Sequence, residues 1–514
     1  MASGHPASAP EALYRADMSS WPTIPRRLLL ALAGAGLAVS PRSAAAASEG
    51  STTAPLGAPS SAIWTEFFKG QRIWAYADRQ SLRPGEPLNI MAAGGPGQPV
   101  RRARLEVFRV SAPGPTPVWT SDFAEVRYRG ATASAAAIGP GWPPTFAAID
   151  TSAWAPGCYY ADIVEQTTAT RDVKAAFWIV TNPKRSGAVL LRLGTNTYQA
   201  YNPWGGHSLY PNDDDENRGL IVSFDRPTPP SFFEYDVFLV GWLESLAASL
   251  GGVDYAANFD VHADPTLIER YPLVVTSAHD EYWSGEEFDA FHRRIFKLGR
   301  NTAFLGADAA YCQIRYGDLN AGPGAAALGR QLVCYKTASD PVALRAGHAD
   351  PRRLTTNNFR TDARRPETML VGSAYQNWFE PASPQRPAYK VARNDLPFFA
   401  GTGWNVGDTA AEVVGYEWDN RDPDGDGKRL WDPARSLEPA IDPAAVSVLF
   451  RGEPIGEDGR PGVAEATLFR SPAGAQVFNA GAVRWAWGLG KEGFVNPAFQ
   501  KFNENLIAAL SRRS

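Results

Sequence analysis

Apolar residues follow two different patterns along the chain, and the change between them falls within "TNPKRSG". From Trp64 to Asn182, short runs with apolar side chains at alternate positions are separated by Pro and Gly clusters, as in "RRARLEVFRV" and "VKAAFWIV". A period of two is typical of strands that bury one face. Residues 64–182 are therefore predicted to form an immunoglobulin-like β-sandwich, a fold whose usual role is support or partner binding.

Beyond that segment, unbroken apolar runs alternate with amphipathic helices. "AVLLRLG", "YPLVVTSA" and "NTAFLGA" have the character of strands buried on both faces. The run "VFLVGWLESLAASL" predicts a helix that Gly251 can end, and Ser284 with Glu287 forms an S-x-x-E capping box that starts another. Residues 186–514 are therefore predicted to be an α/β domain, a parallel sheet covered by helices of the amidotransferase or flavodoxin-like type.

The C-terminal part of the second region carries further predicted elements. "EVVGYEWDNRD" contains a short strand leading to Glu417. "ATLFR", "AQVFNAG" and "VRWAWGLG" are predicted to be paired strands, and "NPAFQKFNENLIAALSRR" a closing helix.

Residues 1–47 have the pattern of a signal peptide. Arg26 and Arg27 precede the apolar stretch 28–39, and small residues follow in "SAAAASEG". A bilayer-spanning helix needs about 20 apolar residues, so this shorter stretch argues against a stable membrane anchor. The paired arginines fit the twin-arginine route. The expected location is therefore secreted or periplasmic.

Composition narrows the classes of partner. The chain has a net charge of −4, and the expected leader carries four arginines against two acids, so its loss would make the mature chain more acidic. An acidic chain has no electrostatic reason to bind nucleic acid. The cysteines Cys158, Cys312 and Cys334 allow at most one internal disulfide, whose pairing stays open. A homo-oligomer also stays open.

The stretch "HDEYWS", residues 279–284, is the strongest candidate for chemistry. It follows a predicted strand directly, and "DAAYCQIR" follows the next one, so both should face the crevice beyond the carboxyl ends of the sheet. His279 and Glu281 are therefore candidate catalytic residues. The alternative is structural: Asp280 or Ser284 caps a helix while Tyr282 and Trp283 pack beneath it.

Two other segments offer weaker chemistry. The loop 195–218 is long and aromatic, which favours a functional lid or binding loop over a purely structural cover for the sheet edge. His207 in this loop is a third catalytic candidate, with a hydrogen-bonded structural histidine as the alternative. Asp422, Asp424 and Asp426 have the spacing of a calcium loop, but Pro433 stands where a bidentate Glu is required, so calcium and a solvated turn both stay open.

A set of these motifs resembles one known family. "GTNTYQAYNPWGGHSLY", "HDEYWS", "FLGADAAYCQIR", "GYEWD" and "VRWAWGLG", in this order, resemble the C-terminal region of the N,N-dimethylformamidase large (beta) subunit and the exported proteins grouped with it. The resemblance covers roughly residues 64–495, because "WAYADRQSLRPGE" is similar to the sandwich that precedes this region in such relatives.

What the resemblance implies is an exported metal-dependent hydrolase that cleaves the C–N bond of a small amide. It implies one ferric ion held by two tyrosines and a glutamate, which on this sequence are Tyr282, Tyr311 and Glu417. The family enzyme also works with a small partner subunit. Phenolates and a carboxylate suit Fe(III), and the bound ion can polarise a carbonyl. The alternative function is a non-catalytic exported protein that binds a glycan or polymer.

Overall fold

The computed structural model describes residues 72–94, 101–130, 134–168, 171–210, 218–317, 329–336, 340, 355–361, 363–425 and 441–512. The expected leader, residues 1–47, lies outside these ranges. Within them, no helix has both the length and the hydropathy that a membrane span requires.

In the described part of the first region there are nine strands, in two sheets, and one short helix. One sheet has the order β1-β3-β7, and the other has the order β2-β9-β8-β4-β5 with β6 added beside β4. Both contribute to one buried cluster, in which Trp154 and Trp178 stack 5.8 Å apart. The immunoglobulin-like topology itself stays a prediction. The bounds are β1 Ile73–Ala77, β2 Ser81–Leu82, β3 Leu88–Gly94, β4 Arg101–Arg109, β5 Thr116–Thr120, β6 Ala124–Val126, α1 Ala135–Ile138, β7 Phe146–Ile149, β8 Gly157–Glu165 and β9 Arg171–Val180.

The second region contains the remaining strands and helices. Its strands are β10 Val189–Leu193, β11 Ile221–Ser223, β12 Val253–Ala257, β13 Leu273–His279, β14 Tyr282–Ser284, β15 Asn301–Ala307, β16 Cys312–Tyr316, β17 Gln331–Val333, β18 Ala374–Trp378, β19 Tyr389–Val391, β20 Thr409–Ala411, β21 Glu417–Asn420, β22 Ser447–Gly452, β23 Ala464–Arg470 and β24 Gln476–Asn479. Its helices are α2 Thr195–Ala200, α3 Val237–Leu250, α4 Asn258–Ala263, α5 Gly285–Phe296, α6 Thr368–Val371, α7 Trp487–Gly490 and α8 Pro497–Leu510.

The main sheet is mixed, and the predicted fold class is wrong. Its order is β12-β10-β13-β15-β24-β23-β22-β19-β20. In this order, each of the first five strands runs parallel to the next, from β12 as far as β24. From β24 to β20, each strand is antiparallel to the next. A flavodoxin-like parallel sheet is therefore excluded. The apolar runs identify strands but not their direction, and the hairpin of β23 and β24 extends the sheet in the antiparallel sense.

Two smaller sheets carry the remaining strands of the second region. One has the order β11-β17-β16-β14, and the other is the antiparallel pair β18-β21. Strand β14 pairs parallel with β16, so the segment after β13 and the segment after β15 are joined by a second ladder. This ladder places both segments at the same edge of the main sheet.

Several local predictions are confirmed at the helix ends. Gly251 follows α3 with φ of 83° and ends it in the left-handed conformation. Ser284 caps α5 by accepting a hydrogen bond from the Glu287 N–H. Two predictions are wrong: residues 483–490 form helical turns and no strand, and Glu417 begins strand β21 and does not follow one.

Strands β13 and β15 approach each other unusually closely next to the end of β13. A Cβ atom on Gly306 would lie 1.9 Å from the Ala278 carbonyl oxygen and 2.7 Å from the Ala278 backbone nitrogen. Because backbone atoms cannot move aside alone, only glycine fits here. Ala278 itself has φ of 51°, in the left-handed region that costs a residue with a side chain of order 1 kcal/mol.

We predict that Gly306→Ala lowers the free energy of unfolding by roughly 1–3 kcal/mol, because the added methyl group must push two strands apart. Chemical denaturation measures this change. Gly130→Ala is the control, since a Cβ there meets only the Tyr128 side chain at 3.4 Å and should change stability by less than about 0.5 kcal/mol. Equal stabilities of the two variants would disprove the tight approach.

Candidate active site

Three segments that follow neighbouring parallel strands meet at one edge of the main sheet. Tyr201 follows β10 and α2, His279 is the last residue of β13, and Asp308 comes directly after β15. The carboxyl ends of parallel strands lie at the same edge, where ligand crevices form in such sheets. His279 Nε2 and Asp308 Oδ2 are 3.4 Å apart. The prediction that the segments after β13 and β15 face each other is confirmed.

The His279 imidazole is surrounded by three carboxylates. Its Nε2 atom lies 2.9 Å from Glu417 Oε2, 3.4 Å from Glu281 Oε2 and 3.4 Å from Asp308 Oδ2. On the other side of the ring, Nδ1 lies 2.8 Å from the Tyr416 hydroxyl. None of these four residues, His279 and the three acids, is more than 7% exposed. We call His279, Glu281, Asp308 and Glu417 the His279 cluster.

Burial and the charges of neighbouring side chains shift the pKa values of the His279 cluster. Burial disfavours the imidazolium, but the Glu417 carboxylate and hydrogen bonds to Asp308 and Glu281 raise the pKa of His279 well above its ordinary value. Burial also disfavours a charged Glu281, yet Lys336 and His279 hold its pKa below the ordinary value. Burial raises the pKa of Asp308 well above its ordinary value. The neighbouring carboxylates therefore favour the charged form of His279.

Glu281 is held by contacts on all sides. The Tyr201 hydroxyl donates a hydrogen bond to Oε2 at 2.7 Å, and the Cys312 thiol donates one to Oε1 at 3.4 Å. The Lys336 ammonium lies 3.7 Å from Oε1. The backbone N–H of Glu281 donates to the Thr197 hydroxyl at 3.0 Å. These contacts fix the orientation of the carboxylate toward His279.

The backbone beside the cluster is strained. Ala278, Asp308 and Ala310 all have positive φ, of 51°, 56° and 59°. Residues with a Cβ seldom adopt this conformation, and it tends to occur where a site must hold a particular geometry. The Asp308 backbone N–H donates to Asp419 Oδ1 at 2.9 Å, which helps to hold the turn.

The cluster has the donor set of a metal site. One ligand atom each from His279, Glu281 and Asp308 can be chosen so that all lie within 4.8 Å of one another. Two further buried atoms, the Tyr282 hydroxyl and Asp308 Oδ1, find no hydrogen-bond partner in the described part of the chain. Imidazole and carboxylates together suit iron, manganese or zinc. The residues present therefore fit a bound transition metal ion.

The other predicted site residues lie at different distances from this cluster. Tyr282 borders it, with its ring centroid 6.2 Å from that of Tyr201. Tyr311 contacts a different group of side chains: its ring centroid is 5.4 Å from that of Tyr375, and the Arg360 guanidinium lies 5.1 Å above it. Burial raises the pKa of the Tyr311 phenol, and the nearby Asp308 carboxylate of the cluster adds to that rise. The three-residue ligand set implied by the resemblance therefore stays a prediction.

Two more predictions concern residues away from the cluster. His207 is buried, and its carbonyl oxygen accepts a hydrogen bond from the Arg226 guanidinium at 3.1 Å. The calcium prediction stays untested, because Asp426 lies outside the described residues while Asp422 and Asp424 lie in a described turn.

Sequence reasoning missed three residues of the site. Asp308 was signalled by its position directly after an apolar strand, the same signal that identified His279. Tyr416 precedes the predicted Glu417 by one position. Tyr201 had no local signal, because its partner Glu281 is 80 positions away in the sequence.

Comparison with known proteins gives one match. The family model described as N,N-dimethylformamidase beta subunit-like, C-terminal, matches residues 104–499, which is most of the chain. The matched range begins within β4 and ends within α8, so it includes every residue of the His279 cluster. No curated protein matches the chain.

We predict that Tyr201→Phe lowers the free energy of unfolding by about 1–3 kcal/mol, because the buried Glu281 carboxylate loses a hydrogen-bond donor. Urea denaturation measures the change. The matched control is Tyr128→Phe, whose side chain is 50% exposed and should have almost no effect. If both variants unfold at the same urea concentration, the Tyr201 contact does not stabilise the fold.

Proposed function

The chain belongs to the N,N-dimethylformamidase beta subunit-like family, and from this premise we propose that it hydrolyses the C–N bond of a small linear amide at the His279 cluster, with a bound iron ion. The observation that carries the proposal is the convergence of one imidazole and three carboxylates, all buried, at the carboxyl ends of parallel strands. The family membership supports an amide as the substrate.

The ion would be held by His279, Glu281 and Asp308, whose ligand atoms are mutually close. Tyr416 orients the imidazole through Nδ1, and Tyr201 orients the Glu281 carboxylate. Contacts of this kind fix the direction of a ligand and its basicity. When bound, the ion would supply Lewis acidity that polarises the amide carbonyl.

Proton transfer falls to Glu417. Its Oε2 lies 2.9 Å from His279 Nε2, so the ionised carboxylate is placed to accept a proton within the cluster. Amide hydrolysis requires a base that removes a proton from water and an acid that delivers one to the departing nitrogen. One buried carboxylate can do both in turn. Lys336, near Glu281, adds positive charge that attracts the developing carboxylate product.

The tyrosine ligands implied by the resemblance form a variant of this proposal. Tyr282 supports it through its buried and unpaired hydroxyl. Tyr311 packs against Tyr375 and the Arg360 guanidinium, and it interacts electrostatically with Asp308. If Tyr282 binds the ion, Tyr282→Phe removes the visible phenolate-to-iron absorption band, whereas Tyr311→Phe retains it.

Export is a separate part of the proposal, and it rests on the signal-peptide pattern of residues 1–47. Expression of the full chain with analysis of the N-terminus of the extracytoplasmic product tests it. A mature chain that begins after the small residues near position 47 supports export, and a product that retains Met1 in the cytoplasm argues against it.

We predict that the purified full chain binds one iron ion and that Glu281→Gln and Asp308→Asn each weaken binding by on the order of 100-fold or more, because each removes an anionic ligand. Glu417→Gln should keep the metal and lose most hydrolysis of N,N-dimethylformamide and formamide. Elemental analysis and release of the amine measure these outcomes.

Glu412→Gln is the matched control for these variants. Glu412 is half exposed and pairs with Arg386 on the surface, so its loss should change neither metal content nor hydrolysis. A wild-type chain that binds no iron after reconstitution would count against the metal site. Saturable glycan binding that persists in Glu281→Gln and Asp308→Asn, without hydrolysis, would favour the binding-protein alternative.

A further inference from the structure

Arg226 is completely buried, and its described hydrogen bonds all go to carbonyl oxygens. Nε donates to the Ser223 carbonyl at 2.8 Å, and burial lowers the pKa of the guanidinium to about 9. The remaining donors all reach one short segment, through the carbonyl groups of Gln199, Asn202, Trp204 and His207 at 2.7–3.1 Å and the Gln199 side chain at 3.3 Å. Burying a charge without a carboxylate is costly, which indicates a specific requirement.

That segment, residues 199–207, carries a side chain of the proposed site. We call it the Tyr201 turn. It includes the end of α2, where the last helical carbonyls lack partners within the helix, and Arg226 supplies a donor to one of them, that of Gln199. Tyr201 projects from it to donate to Glu281, and its ring centroid lies 5.1 Å from that of His279. The guanidinium therefore fixes the backbone from which the Tyr201 hydroxyl reaches Glu281.

The first region of the chain holds the same turn from its other side. The Trp204 ring packs edge-on against Trp74 at 5.9 Å and Trp142 at 5.5 Å. Gly205 has φ of 88°, and a Cβ there would lie 2.6 Å from the Ala136 backbone nitrogen. The Tyr201 turn is thus held by the aromatic contacts of Trp204 and by the buried Arg226 guanidinium, although its own backbone is irregular.

We propose that Arg226 is a positioning residue, which holds the Tyr201 hydroxyl against Glu281 and thereby fixes the direction of that carboxylate. The use of this geometry in metal binding rests on the proposed function. The clamping of the turn stands on the contacts of Arg226 alone. Arg226 lies behind the turn and acts on the reaction only through Tyr201.

Arg226→Ala and Arg226→Lys test this role in the full-length chain. Hydrogen exchange should accelerate in residues 199–207 of Arg226→Ala more than elsewhere, and iron affinity should fall about 10-fold to 100-fold, the usual effect of losing a group that orients a ligand. Guanidinium ion at millimolar concentrations, far below those that unfold proteins, should fill the cavity and restore both readouts. Arg226→Lys keeps the charge but not the planar fork, so it should restore them only in part.

Arg294→Ala is the matched control. Arg294 is equally buried, also bonds backbone carbonyls, those of Ile268, Pro272 and Asn301, and lies on α5 away from the Tyr201 turn. Arg294→Ala should lower the free energy of unfolding. Hydrogen exchange in residues 199–207 and iron affinity should stay as in the wild-type chain, unlike in Arg226→Ala.

The outcomes separate the two proposals. If the wild-type chain binds no iron, the proposed function fails, and the exchange measurement with guanidinium rescue still tests Arg226. If Arg226→Ala cannot be purified in a folded state, Arg226→Lys takes its place. Hydrogen exchange in residues 199–207 of that variant must then be faster than in the wild-type chain. Exchange in residues 199–207 that matches the Arg294 control, or guanidinium ion that restores nothing, would overturn the role of Arg226.

Discussion

The excess of buried negative charge around the His279 imidazole is the constraint on which the site depends. Three carboxylates stand within 3.4 Å of one ring nitrogen, in surroundings that solvent barely reaches. Buried carboxylates cannot all stay ionised so close together unless bound protons or a cation offset their charge. Burial and the neighbouring carboxylates raise the pKa of Asp308, and the neighbouring carboxylates raise that of His279. A bound cation would offset the same negative charge, which is why the arrangement fits a metal centre.

The fold meets this constraint by bringing distant segments to one edge. The main sheet places the ends of β10, β13 and β15 side by side, and the close approach of Gly306 to Ala278 sets their separation. The turn that carries Tyr201 is then fixed by contacts from two directions. The first region takes part through Trp74 and Trp142, which pack against Trp204 of that turn.

The sequence predicts those features that depend on local chemistry. The cap at Ser284, the apolar strands and the candidates His279 and Glu281 all follow from neighbouring residues. Strand direction does not, since an apolar run buries equally well in either sense, and the antiparallel half of the sheet was therefore missed. "VRWAWGLG" alternates like a strand, but its helical turns pack Trp485 against Phe499 and Trp487 against Tyr235. The Tyr201 contact depends on a turn that Arg226 organises from 25 positions away.

The most direct measurement is anomalous X-ray diffraction at the iron absorption edge from crystals of the iron-loaded chain. The account predicts one strong peak bounded by His279 Nε2 and by carboxylate oxygens of Glu281 and Asp308. A peak beside Tyr311 and Arg360, or the absence of any peak in crystals whose protein contains iron by elemental analysis, would contradict it.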